Sequence, residues 1–510
     1  MEKKKAIAIF GTASDVGKSI VTTALCRIFS NLGIAVAPFK AQNMSNNSFV
    51  TRDGREIGRA QAVQAQAARV EPHVDMNPVL LKPSTDVGAQ LVLHGVAIGN
   101  VKATDYGKYS NLLFEEALKS LQRLCTRYDL IVMEGAGSCA EVNLRDRDFV
   151  NFRMAHAANA PVILVADIDR GGVFAQIVGT FEVLPPADRN LIKGLIINRF
   201  RGDPELFSEG IRYLEERTKV PVLGLIPYLH HLRIDPEDSV VLDMGFDPPC
   251  LQEGMLNIAV LRLPHISNFT DFSPLQYERG VNLHYLFTPR PLKGYQLVIL
   301  PGTKNVRGDL AWIQKTGWER ELRKYRDAGG EIGGICGGYQ MLGRLIRDPY
   351  GVEGHPGETK GLGLLDVETT LQSNKTLSRT IGLWLPDGSL VNGYEIHMGA
   401  TDRGPHALPL IKVLSQNGKE TKDYYDGART PDGKVWGTYL HGLFDSKGFR
   451  RSLLSRLNPA LTWDDSEPTE DPYDVLAKHF SAHLDLDRLF EIIGLETPKM
   501  PGPKEGLSGR

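Results

Sequence analysis

The segment Ala6-Ile-Ala-Ile-Phe10-Gly11-Thr-Ala-Ser-Asp-Val-Gly17-Lys18-Ser19, running on into Ile20-Val-Thr-Thr-Ala-Leu-Cys-Arg-Ile-Phe29, decides the fold. An apolar run, a glycine-bounded turn, and then Val21, Leu25, Ile28, Phe29 and Leu32 at helical spacing before Gly33 read as strand, loop and helix. Such a turn presents backbone N–H groups and the positive end of a helix dipole to phosphate, Lys18 adds a point charge, and the Ser19 hydroxyl suits Mg²⁺. Gly11, Thr12, Asp15, Val16, Gly17, Lys18 and Ser19 are therefore the expected ATP-binding loop. With the next short run, Ile34–Phe39, the unit is one βαβ crossover. Further runs at Leu130–Met133, Val162–Ala166, Gly194–Ile197 and Val222–Ile226 alternate with helical patterns, among them the Gln-rich Ala60–Ala68. The expected fold class is α/β with a doubly wound parallel sheet.

A nucleotide-binding loop of this kind works with a carboxylate that holds Mg²⁺ at a neighbouring strand end. Asp129-Leu-Ile-Val-Met-Glu134-Gly-Ala-Gly offers Glu134 as the metal ligand. Asp167 and Asp169 end the next strand on the same edge, as ligands or as turn caps. Asn198, at the end of Gly194–Ile197, is placed to read the nucleotide base or to form a turn. Five residues separate Gly11 from Gly17, against four in the usual P-loop. This longer loop resembles that of the dethiobiotin synthetase branch, which implies a role for Asp15.

The chain has 510 residues, enough for two to four domains at roughly 100–200 residues each. Its 59 Lys+Arg and 61 Asp+Glu leave a net charge of -2, so no global field argues for nucleic acid or an anionic membrane. A hydrophobic content of 42% and a charged content of 24% are those of a globular protein and exclude disordered, collagenous and coiled-coil classes. No apolar run approaches the roughly 18 residues of a membrane span. The charged start leads into a strand rather than a signal sequence, so the expected location is cytoplasmic. The five cysteines are odd in number, widely spaced and without a CxxC pair, against a disulfide framework or structural zinc. A Pro- and Asp-rich interval, 231–253, interrupts the alternation, which restarts at Ile258–Leu263, Leu297–Leu300 and Glu331–Ile335. The expected units are a synthetase domain over 1–235, a second α/β domain over 251–447, and a helical segment with a flexible tail over 448–510.

Among the cysteines Cys336 has a distinct context. Glu331-Ile-Gly-Gly-Ile-Cys336-Gly-Gly-Tyr-Gln-Met reads as a strand, a sharp Gly-x-Cys-x-Gly turn and a helix, a nucleophile elbow that exposes sulfur at a helix N-terminus favouring thiolate. A base is expected at another strand end, and Val435-Trp-Gly-Thr-Tyr-Leu-His441 supplies His441. The N–H of Gly337 and one from the loop Leu300-Pro-Gly302-Thr-Lys-Asn form the expected oxyanion hole. Cys26 and Cys125 sit in helical patterns and read as core, and Cys139 borders the nucleotide loop.

A P-loop domain joined to a Cys/His hydrolase domain resembles a glutamine-dependent amidoligase. Phe39-Lys-Ala-Gln-Asn-Met-Ser-Asn-Asn-Ser48, Glu56-Ile-Gly-Arg-Ala-Gln61, Asp167-Ile-Asp-Arg-Gly-Gly172, Ile197-Asn-Arg-Phe-Arg-Gly202, Gly393-Tyr-Glu-Ile-His-Met-Gly399 and Leu440-His-Gly-Leu-Phe444 resemble the cobyric acid synthase branch of the cobyrinic/cobyric acid amidotransferase family. The resemblance implies a class I glutamine amidotransferase-like second domain in which Cys336 and His441 free ammonia from L-glutamine. It implies ATP and Mg²⁺, without a permanently bound cofactor, and amidation of the b, d, e and g carboxylates of adenosylcobyrinic acid a,c-diamide in cobalamin biosynthesis. The partners implied are these small molecules, with no nucleic acid and no membrane. The usual His-x-Glu is replaced here, Leu443 standing two after His441, which leaves Glu395 and Asp445 as candidates to orient the histidine. Asp146 is a candidate for acceptor or ammonia handling, against a loop salt bridge with Arg145 or Arg147. The rival readings are an amidoligase with another acceptor, such as the cobyrinic acid a,c positions or a cell-wall lipid, and a partition-type ATPase that amidates nothing.

Overall fold

Strands such as Lys5–Gly11 and Leu130–Glu134 are apolar at nearly every position, the pattern of strands covered on both faces. In the computed structural model, which describes residues 5–85, 88–102, 104–229, 233–235, 250–463 and 470–496, they lie at the heart of a six-stranded parallel sheet. Its order in space is Val222–Pro227, Ile192–Phe200, Val162–Asp167, Lys5–Gly11, Leu130–Glu134 and Val36–Phe39. Alternate residues of the first strand feed two cores. Ile7 and Ile9 pack with Val21 and Phe29 of the helix Lys18–Asn31, while Ala8 and Phe10 pack with Leu121 and Phe152 on the other face. The register pairs Ile9 with Glu134, Gly11 with Val165, and Asp167 with Asn198, so the phosphate loop and these acids and amides share one sheet edge.

Two parts of this half depart from simple alternation. A four-stranded sheet of Gln42–Met44, Val79–Thr85, Gly88–Leu93 and Val96–Lys102 is built on a hairpin, a feature the sequence pattern does not announce. The Gln-rich helix spans Arg59–Ala67 and is buried along most of its length, Gln61 and Gln64 included. Its weak amphipathicity follows from having no solvent face of its own.

The second sheet has twelve strands among the described residues. Five are parallel, in the order Val281–Leu286, Leu256–Leu261, Leu297–Leu300, Glu331–Ile335 and Val435–Thr438, and the rest continue from the last of these as a largely antiparallel extension. Val260 pairs with Ile299, Leu300 with Gly334, and Ile335 with Thr438. Their C-terminal ends therefore align, and the four loops leaving them converge.

The C-terminal segment divides between the two sheets. Helix Lys447–Leu457 stays with the second, with Phe449 against Trp384 and Arg456 on Glu331. Helices Pro472–Ser481 and Leu486–Ile493 return to the first, where Phe490 meets Phe29 edge-on and the Asp485 N–H donates to the Leu223 carbonyl. The expected linker, 231–253, lies mostly outside the described residues, and the expected flexible tail lies wholly outside them.

Candidate active site

Cys336 sits between the strand Glu331–Ile335 and the helix Gly337–Leu342 with φ 51° and ψ −107°. A non-glycine residue in this region stores about 1–3 kcal/mol of strain, a cost that surrounding structure must hold. Close packing does so here. A Cβ on Gly338 would come within 2.0 Å of the Leu300 carbonyl oxygen, so the turn passes directly over the neighbouring strand end. The Cys336 N–H donates to the Thr438 carbonyl and its Sγ lies 3.6 Å from the Ile396 carbonyl oxygen.

His441 arrives from the adjacent strand end, 1% exposed, within hydrogen-bonding reach of Cys336. Its Nδ1 lies 2.6 Å from Asp271 Oδ2, while Asp271 Oδ1 accepts the Gly442 N–H at 3.0 Å. Burial opposes the imidazolium. The Asp271 carboxylate and the Cys336 sulfur outweigh it and hold the imidazole pushed up to about 10. Tyr394 stacks on the imidazole at 5.5 Å and completes its orientation. Of the expected oxyanion pair, Gly302 abuts the His441 ring, a Cβ there falling 3.0 Å from its Cε1, and Gly337 opens the helix beside Thr303.

Asp271 corrects the expectation that Glu395 or Asp445 orients the histidine. Glu395 is buried and taken up by Thr380, Gln416 and His397, and Asp445 lies on the surface. Asp271 sits 170 residues upstream of His441, in the short helix Phe269–Phe272 beyond the strand Leu256–Leu261. Only the shared edge of the aligned strand ends could have pointed to it.

At the first sheet's edge the loop turns through Asp15 and Gly17, with φ 64° and 98°, into the helix at Lys18. Lys18 Nζ donates to the carbonyls of Ala13 and Gly137 at 3.0 and 2.8 Å, which curls the loop around its own charge. Thr12 Oγ1 donates to Gln176, and Asp15 lies 3.6 Å from Arg170. Glu134, 1% exposed, accepts from Ser19 Oγ at 2.9 Å, from Lys40 Nζ at 2.9 Å and from Gln64 Nε2. A serine hydroxyl and a carboxylate are hard oxygen donors, the kind by which one or two side chains hold Mg²⁺ alongside substrate phosphates. The two fit that ion, with Lys40 and Gln64 orienting the carboxylate.

Asp167 and Asp169 pair with Arg199 and Arg201 at 2.8 and 2.6 Å, and Asp167 Oδ1 also accepts the Asp169 N–H, which favours the turn reading for both. Asn198 spends its amide N–H on the Val16 carbonyl at 2.9 Å and lies so close to Gly17 that a Cβ there would fall 2.1 Å from its Nδ2. Asn198 thereby braces the phosphate loop. Asp146 lies on an exposed loop, where its neighbour Arg145 pairs with Asp188, and the structure brings it into neither catalytic set. Among the other cysteines, Cys26 and Cys139 are buried thiols, burial pushing Cys26 well up and Cys139 up to about 12.

The two sites are joined by side chains that sequence reading missed. The Asn268 side chain, three residues before Asp271, accepts the Ser48 N–H at 2.9 Å. Phe49 packs edge-on against Tyr394, the residue stacked on His441. Glu56, fully buried, holds Lys82 from its own half and Lys375 from the other, and Lys304 of the oxyanion loop donates to Gln90 at 3.0 Å.

Comparison with known proteins follows the same division. Residues 7–240 match the family model of the CobQ/CobB/MinD/ParA nucleotide binding domain, and residues 257–449 that of the CobB/CobQ-like glutamine amidotransferase domain. The chain is 56% identical over 500 residues to a cobyric acid synthase of Chlorobaculum tepidum, covering 98% of this chain and 99% of the relative. It is 57% identical over 495 residues to one from Chlorobium phaeobacteroides (97% and 98%), and 48% identical over 526 to one from Pelotomaculum thermopropionicum (98% and 99%). Among solved structures there is a distant likeness to PurLQS from Thermotoga maritima, with TM-score 0.31 and 20% identity over 40% of this chain and 100% of that one.

Proposed function

The chain belongs to the cobyric acid synthase family, an enzyme of glutamine-dependent amidation in cobalamin biosynthesis, and from that premise we propose how its residues divide the reaction. Cys336 Sγ, as thiolate, attacks the side-chain carbonyl carbon of L-glutamine. The oxyanion that forms is met by the N–H groups of Gly302 and Gly337. His441, protonated and fixed by Asp271 so that its other nitrogen faces the sulfur, delivers a proton to the departing ammonia. Water, deprotonated by the now neutral His441, then opens the thioester and releases glutamate.

In the first domain a carboxylate of the acceptor attacks the γ-phosphorus of ATP held on the loop Gly11–Ser19, the bond to the bridging oxygen breaks, and ADP leaves the acyl phosphate behind. Activation is needed because a carboxylate is a poor acyl donor, and an acyl phosphate carries a good leaving group. Lys18 and the loop N–H groups stabilise charge on the transferring phosphoryl. Mg²⁺ held by Ser19 and Glu134 would supply further neutralisation of that charge. Ammonia attacks the acyl phosphate, phosphate leaves, and the amide forms. The acceptor is adenosylcobyrinic acid a,c-diamide, amidated at its b, d, e and g carboxylates in four cycles. We assign the reaction to the cytoplasm, where ATP and glutamine are supplied. No helix of the described residues is long and apolar enough to cross a membrane.

The observation that carries this reading is the Cys336–His441–Asp271 triad locked through Asn268 and Phe49 to the half that bears Glu134 and the phosphate loop. A partition-type ATPase has no use for such a triad. Mass spectrometry of the corrinoid incubated with enzyme, ATP, Mg²⁺ and glutamine tests it, with four successive carboxylate-to-amide conversions expected. An unchanged acceptor would refute it.

A further inference from the structure

The hairpin of the four-stranded sheet belongs to the first half by its packing, yet one of its side chains grips the second. Along the strand Gly88–Leu93, Ala89, Leu91 and Leu93 join the core of the first half, so alternation turns Gln90 to the opposite face, where it is 7% exposed. A buried amide is costly unless its oxygen and its N–H groups are used. Gln90 Oε1 accepts from Lys304 Nζ at 3.0 Å, and Nε2 lies 3.9 Å from Met398 Sδ. Both partners flank the nucleophile. Lys304 stands two residues after Gly302 in the oxyanion loop, and Met398 two residues after Ile396, whose carbonyl oxygen lies 3.6 Å from Cys336 Sγ.

The backbone of the oxyanion loop is tied to its own half. The Ser267 N–H donates to the Gly302 carbonyl at 2.9 Å, the Lys304 N–H to the His265 carbonyl at 3.0 Å, and Thr303 Oγ1 to Asp309 at 2.5 Å. The Lys304 side chain has the opposite tendency. Burial and then the charges of Lys375 and Lys82 oppose its ammonium, against a smaller pull from Glu56 and Glu353, and push it down to about 7. A partner is needed to keep the amine where it stands, and Gln90 Oε1 is that partner. We propose that Gln90 is a positioning residue for glutamine hydrolysis, supplied by the synthetase half: by fixing Lys304 it sets where the Gly302 N–H meets the oxyanion. The step it serves is the addition in which Cys336 Sγ bonds to the glutamine carbonyl carbon and the C=O π pair moves onto oxygen. The inference rests on reading Cys336 as the nucleophile and Gly302 as an oxyanion donor, and it gives the hairpin a task in the other half's chemistry.

The test uses the full-length enzyme, with glutamate release and ammonia-driven amidation measured side by side. In Gln90→Leu, which keeps most of the volume and removes the acceptor, glutamine-driven kcat should fall about tenfold, the upper range for one hydrogen bond, while the KM for glutamine and the ammonia-driven rate each stay within about twofold. Alkylation of Cys336 by iodoacetamide, read on its peptide by mass spectrometry, forms no oxyanion and should keep the parent rate. Gln90→Glu, which still accepts from Lys304, should restore kcat to within about threefold. Lys304→Met should reproduce the loss, and Gln90→Leu combined with Lys304→Met should be no worse than either alone. An unchanged kcat in Gln90→Leu overturns the proposal, as does a Gln90→Glu enzyme equally impaired, or losses that add in the double variant. A fall in alkylation or in ammonia-driven amidation as large as the fall in glutamine use also overturns it, since the hairpin would then be a structural support only. Should Gln90→Leu fail to fold, Lys304→Met and Gln90→Glu decide by the same comparison. The underlying reading is judged separately: if Cys336→Ala still releases glutamate, it is the nucleophile assignment that fails.

Discussion

Replacing Asp271 by Asn keeps the shape of the residue that orients His441 and removes its charge. In the intact site the imidazole is pushed up from an ordinary value of 6.5 to about 10, with burial opposing and Asp271 and then Cys336 favouring the charged ring. At about 1.4 kcal/mol per pH unit this is roughly 5 kcal/mol of preference for imidazolium, shared between those two partners. Without Asp271 the largest contribution favouring the charged ring is gone while burial still opposes it, so the imidazole's value falls and less of it is available to protonate departing ammonia. Glutamine-driven kcat should fall by about 10²–10³, and the alkaline limb of the glutaminase profile should move down from near 10. The sign is the same for stability: a raised folded value contributes fully below 6.5 and is lost as pH rises through about 10. The assay is glutamate release across pH beside ammonia-driven amidation, which should be unaffected. An Asp271→Asn enzyme with the parent's rate and the parent's alkaline limb would refute the triad.

Other substitutions separate the two halves. Cys336→Ala should abolish glutamine-driven amidation and leave ammonia-driven amidation near the parent rate, measured by mass spectrometry; retained glutamine use would remove Cys336 as nucleophile. Lys18→Ala should lower both by at least about 10³, since charge on the transferring phosphoryl loses its fixed cation, and survival of either would exclude ATP from the mechanism. Glu56→Gln leaves Lys82 and Lys375 facing each other without their shared carboxylate. Breaking such a buried group should cost about 3–5 kcal/mol in denaturant unfolding, and a loss under about 1 kcal/mol would show that the seam relaxes freely.

Much of this was legible in the sequence because it depends on local patterns. Strands buried on both faces read as continuous apolar runs, and the loop and the elbow are held by glycines at positions where a Cβ does not fit, Gly17 against Asn198 and Gly338 against Leu300. Asp271 was not legible. It stands among Phe269, Thr270 and Phe272, a stretch that reads as ordinary core, and its partner is 170 residues away. The sheet built on 79–102 was hidden for a related reason: Lys82 and Gln90 are buried polar residues that answer to groups elsewhere in the fold, so alternation fails where it is needed. Helical spacing revealed Pro472–Ser481 but could not say that its first turn grips Arg27 rather than the nearer domain.

The polar helix Arg59–Ala67 shows why the halves belong to one chain. Ammonia set free in water is protonated and ceases to be a nucleophile, so the two reactions must be held in register. One end of this helix places Arg59 on Asp235 and over Phe49, whose other neighbour is the Tyr394 ring stacked on His441. Five residues on, Gln64 donates to Glu134, the carboxylate beside Ser19. A single helix of nine residues, about 14 Å long at 1.5 Å per residue, thus touches both the carboxylate beside the phosphate loop and the packing around His441. The neighbouring lysines point the same way. Burial and the facing charges push Lys304 down to about 7 and Lys375 to about 8, values tolerable only while the halves enclose them around Glu56.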